Sequence, residues 1–559
     1  MAARPWTVGS LVVILVACSH RDAPRAVAPT QSVAPTDAPP LFPGLGSHRR
    51  EVTTRSREAQ RYFDQGLILL YGFNHDEAIR SFRRAAEIDP QCAMAHWGVA
   101  IANGPHINFP MVPPDRAKAA HEALVRARAT AAGATEVERG LIAALEKRHA
   151  DPEPADRKAL DGAYASAMRA LWKAHPDDAD VGALAAEAMM DLRPWDLWTP
   201  DGKAQPGTDE IVAVLEDVMA KSPAHPLANH LYIHVIEASP NPEKAAGAAE
   251  RLRGLSPGVG HLVHMPTHID VRTGRWEEAI ASNRAAIEAD RRYREKSPKQ
   301  GFYAVYMAHN HHMLTFAAMM TAKSALSLQA IEAMVTGMPP EFVRDSPAIA
   351  DGFVAMPFEV LLRFGKWDAA LARPEPDARL PLARALRLYA RGVAWAAKGD
   401  TERARAEQAA FLAAKSKVPA DAAFGNNKAS DLLSVAEHVL AGEILFREGK
   451  REQGVAELRT AVVYEDQLRY DEPPDWIQPV RHALGAALLK SGKAAQAEAV
   501  YRQDLARLPG NAWSLHGLSR SLRLQKKDAE AEAAEARLAK ATAGADIELT
   551  SSCMCLPGI

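Results

Sequence analysis

The sequence predicts an all-α fold, a curved solenoid of antiparallel helix pairs with a concave groove, and three observations predict it. Apolar residues recur at helical spacing, and no alternating strand pattern of useful length appears. Segments about thirty-four residues long repeat one another's small and aromatic positions. The chain has 559 residues, more than one hydrophobic core organises, so an extended array fits its length. Composition is that of a folded protein, 47% apolar and 24% charged. The formal net charge of −2 gives no global reason to bind nucleic acid, and no nucleic-acid partner is expected.

Residues 1–18 read as an export signal: Arg4 precedes the apolar run Leu11–Ala17, which fits a signal core and is too short to span a bilayer. The run ends in "LVAC", which resembles the bacterial lipoprotein box. That resemblance implies lipidation at Cys18 and, with Ser19 behind it, an outer-membrane anchor facing the periplasm; an ordinary cleaved signal peptide is the alternative. Residues 19–47 are rich in Pro, Ala and small polar residues and read as a tether. Membrane contact is expected through the lipid alone.

The repeat array is expected over residues 48–545. In Ala59–Cys92, "AQRYFDQGLILLYGFNHDEAIRSFRRAAEIDPQC", Tyr62, Gly66, Ala78, Phe82, Ala85 and Pro90 fall at repeat positions 4, 8, 20, 24, 27 and 32. This resembles the tetratricopeptide repeat, a pair of antiparallel helices whose small residues permit close contact. Comparable units begin near Pro226, Gly260, Ala385, Val435, Gln478 and Ala512. Two stretches, Arg193–Gly207 and Arg294–Gly301, break the step and read as insertions between helices.

The chemistry concentrates in "HLVHMPTHID" and its surroundings. The resemblance implies that positions 2, 5, 9 and 12 of each first helix face the groove. This register turns inward His230, His234 and Glu237 in one unit and His261, His264 and His268 in the next. His230 and His264, like His234 and His268, stand one repeat apart, and residues three and four apart share a helix face. Facing stripes on adjacent helices are how helical scaffolds build metal sites. His230, His234, His264 and His268 are therefore candidate primary ligands of a transition metal. Glu187, Glu237, His261, His309 and His312 are candidate supplementary ligands, or outer partners that hold the ligands. Imidazole and carboxylate suit Zn, Fe or Cu without choosing among them. Pro266 threatens the second stripe: a helix starting there would leave His261 and His264 in a loop.

Residues 546–559 form a tail whose Cys553, Met554 and Cys555 are soft ligands able to fold back on the groove, or an exposed dithiol or disulfide. Cys92 reads as buried core, and His75 as a residue of a helix N-terminus. No phosphate-binding glycine loop, zinc-protease helix or nucleophile elbow is present. The sequence thus points to a cell-envelope repeat lipoprotein that takes a protein or peptide partner in its groove, with a histidine-rich metal site between repeats. A metal-free scaffold and a metal-dependent enzyme of undefined substrate are the alternatives.

Overall fold

The computed structural model describes residues 38–154 and 156–556. The export signal with Cys18, and residues 19–37 of the tether, lie outside the described residues. Among those described, no helix is long and apolar enough to cross a membrane.

The architecture is all-α, with helices paired along the chain from Arg57–Tyr71 and His75–Ile88 at one end to Ala512–Leu524 and Asp528–Ala541 at the other. A two-residue-long antiparallel hairpin, Ala423–Phe424 with Asn427–Lys428, is the sheet structure of the described residues. The pairs are made by two recurrent devices. First, small residues let helices touch: a Cβ on Gly66 or Gly98 would stand 2.7 Å or 2.4 Å from the buried Phe82 ring, so both backbones lie directly against it. Secondly, each tight inter-helix turn places one residue in the left-handed region. Phe73, Gly274, Ala322, Gly365, Gly399, Gly449, Gly492 and Lys526 hold this position with φ between 57° and 85°. Glycine fills most of these turns because it lacks the Cβ that this conformation crowds; Phe73 does not.

Two hydrophobic cores form, one centred on Phe63, Phe82, Trp97, Leu184 and Leu231, the other on Phe316, Met356, Leu386, Leu440 and Trp513. In the N-terminal half the coil closes on itself, so helix pairs do not touch only their neighbours. Tyr71 Oη donates to Asp180 at 2.6 Å, and Tyr293 Oη and Ser297 Oγ donate to Glu77 at 2.9 and 2.7 Å. The inner face there is filled by side chains instead of lying open. Residues 39–46, read as tether, run along this half: Tyr62 Oη donates to the Pro39 carbonyl and Gly258 N to the Gly44 carbonyl.

At the other end the tail is docked on the C-terminal half. Cys553 and Cys555 are joined in a disulfide, Ser552 meets Tyr501 Oη at 2.6 Å, and Cys555 Sγ lies 2.9 Å from Glu443. Of the two readings of the tail, a soft-ligand group folded back on the groove or a dithiol or disulfide, the structure has the disulfide, held among helices of the second core instead of exposed. Cys92 is buried, as expected.

Candidate metal centre

Three helical segments carry the histidines. Pro226–Glu237 begins with proline at its first turn, where the missing N–H costs nothing, and the His225 side chain accepts from Ala228 N. In the next unit, Gly260–His264 and Pro266–Thr273 run on as one path, because Met265 keeps right-handed helical angles (φ −49°, ψ −38°) despite the proline after it. His261 and His264 are therefore helical, and the stripe survives Pro266. Tyr303–Met320 supplies His309.

The side chains meet in two groups of three. His230, His234 and His261 form one; His264, His268 and His309 form the other. Within each, one ligand atom per residue lies within 4.8 Å of the others. All but His309 are fully buried, with exposures of 0–6%; His309 is partly so. Aromatic rings line the groups: Phe73 lies 4.5 Å from His230, Tyr306 4.6 Å from His261 and Trp195 5.5 Å from His234, between centroids.

The outward nitrogens of these rings are held. His230 Nδ1 faces the Tyr71 carbonyl at 2.7 Å, and His234 Nδ1 faces Glu237 Oε1 at 2.8 Å. His268 Nδ1 meets Glu237 Oε2 in a short contact. His264 Nδ1 lies 2.7 Å from Asn283 Oδ1. Asn283 can only accept there, because its amide nitrogen already donates to the Ala279 carbonyl and to Thr267 Oγ1. In all four rings Nδ1 is thus the donor, which leaves Nε2 as a lone pair. Among the described residues, His230 and His234 Nε2 find no partner, nor does either nitrogen of His261. Nε2 of His264 and of His268 point at each other across 2.9 Å. Two lone pairs at that distance repel, and only a cation between them, a proton or a metal ion, turns the contact favourable. A carboxylate or carbonyl on the far nitrogen is also the outer partner that metal-binding histidines keep.

Electrostatics follow the burial. His230, His261, His264 and His309 are pushed well below the ordinary imidazole range by loss of water and then by neighbouring imidazoles. His234 is lowered by burial, against the pull of Glu237. Burial also opposes the charged form of His268, but Glu237 outweighs it and raises this ring. Glu237 itself is held down at about 2: burial raises it, and His268 and His234 overcome that. The site is mostly neutral imidazole, which is the ligating form.

Two predicted ligands lie elsewhere. Glu187 is buried beside Arg148 with Asp191, where a fully buried guanidinium draws carboxylates to itself. His312 is buried against Phe353 and Phe424, each 6.0 Å away, on the side of the second core. Glu237 holds ligands and is not among the grouped metal-facing atoms. Sequence reading missed Asn283, which lies on the second helix of its pair, and the Tyr470–Glu472 segment. There Arg272, bonded to the Glu237 carbonyl, stacks over Tyr470, and Glu472 is pushed up to about 7 by burial, against Arg272 and His268.

Two further groupings lack free ligand atoms. Asp180 is saturated by His48, His225, Tyr71 and Arg50. Glu443 faces sulfurs already joined to each other.

A repeat-family match agrees with the helix pairing at one end of the array. Residues 59–92 match the tetratricopeptide repeat family. This is the first complete pair of the array, Arg57–Tyr71 with His75–Ile88, where Gly66 meets Phe82. No curated protein matches the chain. Among solved structures, a human IFIT1 dimer with m7Gppp-AAAA is similar at 12% identity over 88% of this chain and 92% of that one, with a TM-score of 0.34. The APC/C hetero-tetramer Cut9-Hcn1 is similar at 12% identity over 84% and 78%, with a TM-score of 0.31.

Proposed function

We propose that this tetratricopeptide-type protein is a metalloprotein of the bacterial cell envelope whose closed interior binds a transition metal through His230, His234, His261, His264, His268 and His309. One observation carries the reading: the His230 and His234 rings, their Nδ1 atoms held by Tyr71 and Glu237, leave Nε2 without a partner among the described residues, and the His264 and His268 rings, held by Asn283 and Glu237, turn their Nε2 atoms on each other at 2.9 Å. A buried polar atom left unpaired costs about 1–3 kcal/mol, so several in one place are retained where a ligand repays them. The geometry favours a metal over a peptide on this face, because the repeats covering the histidines would have to separate before a peptide reached them. The open coordination position that three imidazoles leave on an ion supports an enzyme reading.

Metal analysis of protein purified without chelator tests this, with expected stoichiometric metal in the wild type and loss of it in the His230→Ala, His264→Ala double variant. Sub-stoichiometric metal, or full retention by the variant, refutes the proposal. The envelope location rests on the signal-like Leu11–Ala17 and "LVAC". Mass spectrometry of the mature N-terminus is expected to find a diacylglyceryl group on Cys18, and an unmodified start at another residue overturns it.

A further inference from the structure

The histidines divide into two equivalent sets, and the division has chemical consequences. Each set has three rings, and the sets abut: His234 and His268 are 5.6 Å apart between centroids, and His261 and His264 5.8 Å. One carboxylate serves both, since Glu237 Oε1 faces a ligand of the first set and Oε2 a ligand of the second. A single ion would leave three imidazoles of the other set buried and unsatisfied. All six ligands are neutral in their binding form, and Glu237 is the one carboxylate bonded to them. Two divalent ions so close would face strong mutual repulsion; two monovalent ions repel about a quarter as strongly by Coulomb's law. Neutral imidazole is a suitable ligand for copper, which reaches the monovalent state.

We propose that the six histidines hold two copper ions as Cu(I), one in each set, and that the pair binds dioxygen between them. The proposal rests on the metal-binding reading above and extends it to ion number, identity and ligand. Each Cu(I) gives up one electron and becomes Cu(II); dioxygen accepts both and becomes a bridging peroxide. No proton moves, and release of dioxygen returns both electrons. Three imidazoles leave a position open on each ion for this ligand.

Aromatic side chains border the first set. A cavity of about 80 Å3 lies beside the first set, lined by Phe73, His75, His106, Phe302, Tyr303 and others. That is room for a few waters or a small molecule. Phe73 separates it from the ligands, with its ring 4.5 Å from His230 and 5.4 Å from His261. Its backbone keeps the left-handed conformation (φ 57°) that glycine supplies in most sister turns.

The test uses the full chain, stripped of metal, loaded with Cu(I) under anaerobic conditions and then exposed to dioxygen. Expected are two coppers per chain, uptake of one dioxygen per two coppers, a new near-ultraviolet charge-transfer band, and no paramagnetic signal because the two Cu(II) ions couple through the peroxide. His309→Ala, at the most exposed ligand, is expected to keep one copper and to show an isolated Cu(II) signal after oxidation; His309→Gln with an unchanged circular-dichroism spectrum controls for folding. One copper per wild-type chain overturns the pair and leaves metal binding standing. Two coppers without dioxygen uptake overturn the oxygen chemistry. No copper binding, with another metal bound instead, overturns this proposal alone, and no metal of any kind removes both readings.

Discussion

Replacing Glu237 by glutamine tests whether the ring orientations exist for metal binding. The substitution keeps volume and shape but exchanges one acceptor oxygen for an amide that donates. In the wild type both oxygens accept, one from His234 Nδ1 and one from His268 Nδ1, and Glu237, held at about 2, stays ionised wherever imidazole binds metal. A glutamine satisfies one ring with its oxygen and presents N–H to the other. That second ring must then place its proton on Nε2, which removes the ligand atom, or keep it on Nδ1 and set donor against donor. The latter costs about 1–3 kcal/mol. Loss of a partner of this kind typically weakens metal binding about 10–100-fold, or about 1.4–2.8 kcal/mol. The expected result is a weakening of this size in one set, with a smaller loss in the other from the missing charge. Competition against a chromophoric copper chelator at fixed pH measures it, with circular dichroism to verify the fold. Affinities within about twofold of wild type for every bound ion would refute the tautomer argument.

Three other outcomes follow from the structure. The metal-free protein is expected to lose stability as pH falls below about 6.5: burial holds His75, His149 and His516 at about 4, 3 and 4 when folded, so between those values and 6.5 the unfolded chain binds more protons. Each contributes about 2 kcal/mol of loss between pH 7 and 5, and denaturant titrations at both pH values that agree would contradict this. Gly98→Ala is expected to lower stability by about 1–3 kcal/mol, because its Cβ would meet the fully buried Phe82 ring at 2.4 Å; an unchanged melting temperature contradicts the close packing. Truncation after residue 545 removes the Asp546 carboxylate bonded to Ser324 N and Ala325 N and the buried Ser551 and Ser552. It is expected to cost about 2–4 kcal/mol in denaturant titration while leaving metal content unchanged.

The helices were legible because their period is written in every turn: small residues such as Gly66 and Gly98 and the aromatic Phe82 make the contacts their spacing implied. The histidine clusters were legible for the same reason, since His230 with His234 and His264 with His268 needed only helical spacing and one repeat length. The failures lie where position depends on a distant partner. Glu187 sits on an inner face, but the cation that claims it, Arg148, comes from an irregular stretch with no register. His312 is three residues beyond His309, about 60° round the helix and about 4.5 Å further along it. That offset carries it across to Phe353 and Phe424 in the second core. Pro266 looked disruptive because local rules disfavour helical angles at Met265; the surrounding packing overrides them. Closure of the coil, which turns a groove into an interior, depends on contacts such as Tyr293 with Glu77 that no local pattern announces.

The pairing of the sets is itself a product of the repeat. Each set takes two histidines four apart from one first helix, His230 with His234 and His264 with His268, and completes itself with one from the first helix of the following unit, His261 and His309. A solenoid generates neighbouring copies of an inward-facing pattern, and here the repeat carries the two histidine pairs, while the third members differ in place, His261 at the start of its helix and His309 well inside its own. Side chains leaning from the two copies toward the shared interior then bring the sets closer than the roughly 8–10 Å between packed helices. What the repeat does not produce by itself is the link: Glu237 ends the first helix one turn beyond His234, and its second oxygen reaches His268 of the next unit. That carboxylate ties the two histidine groups together, since a change in the protonation or position of one of its bonds is felt by a histidine of the other group.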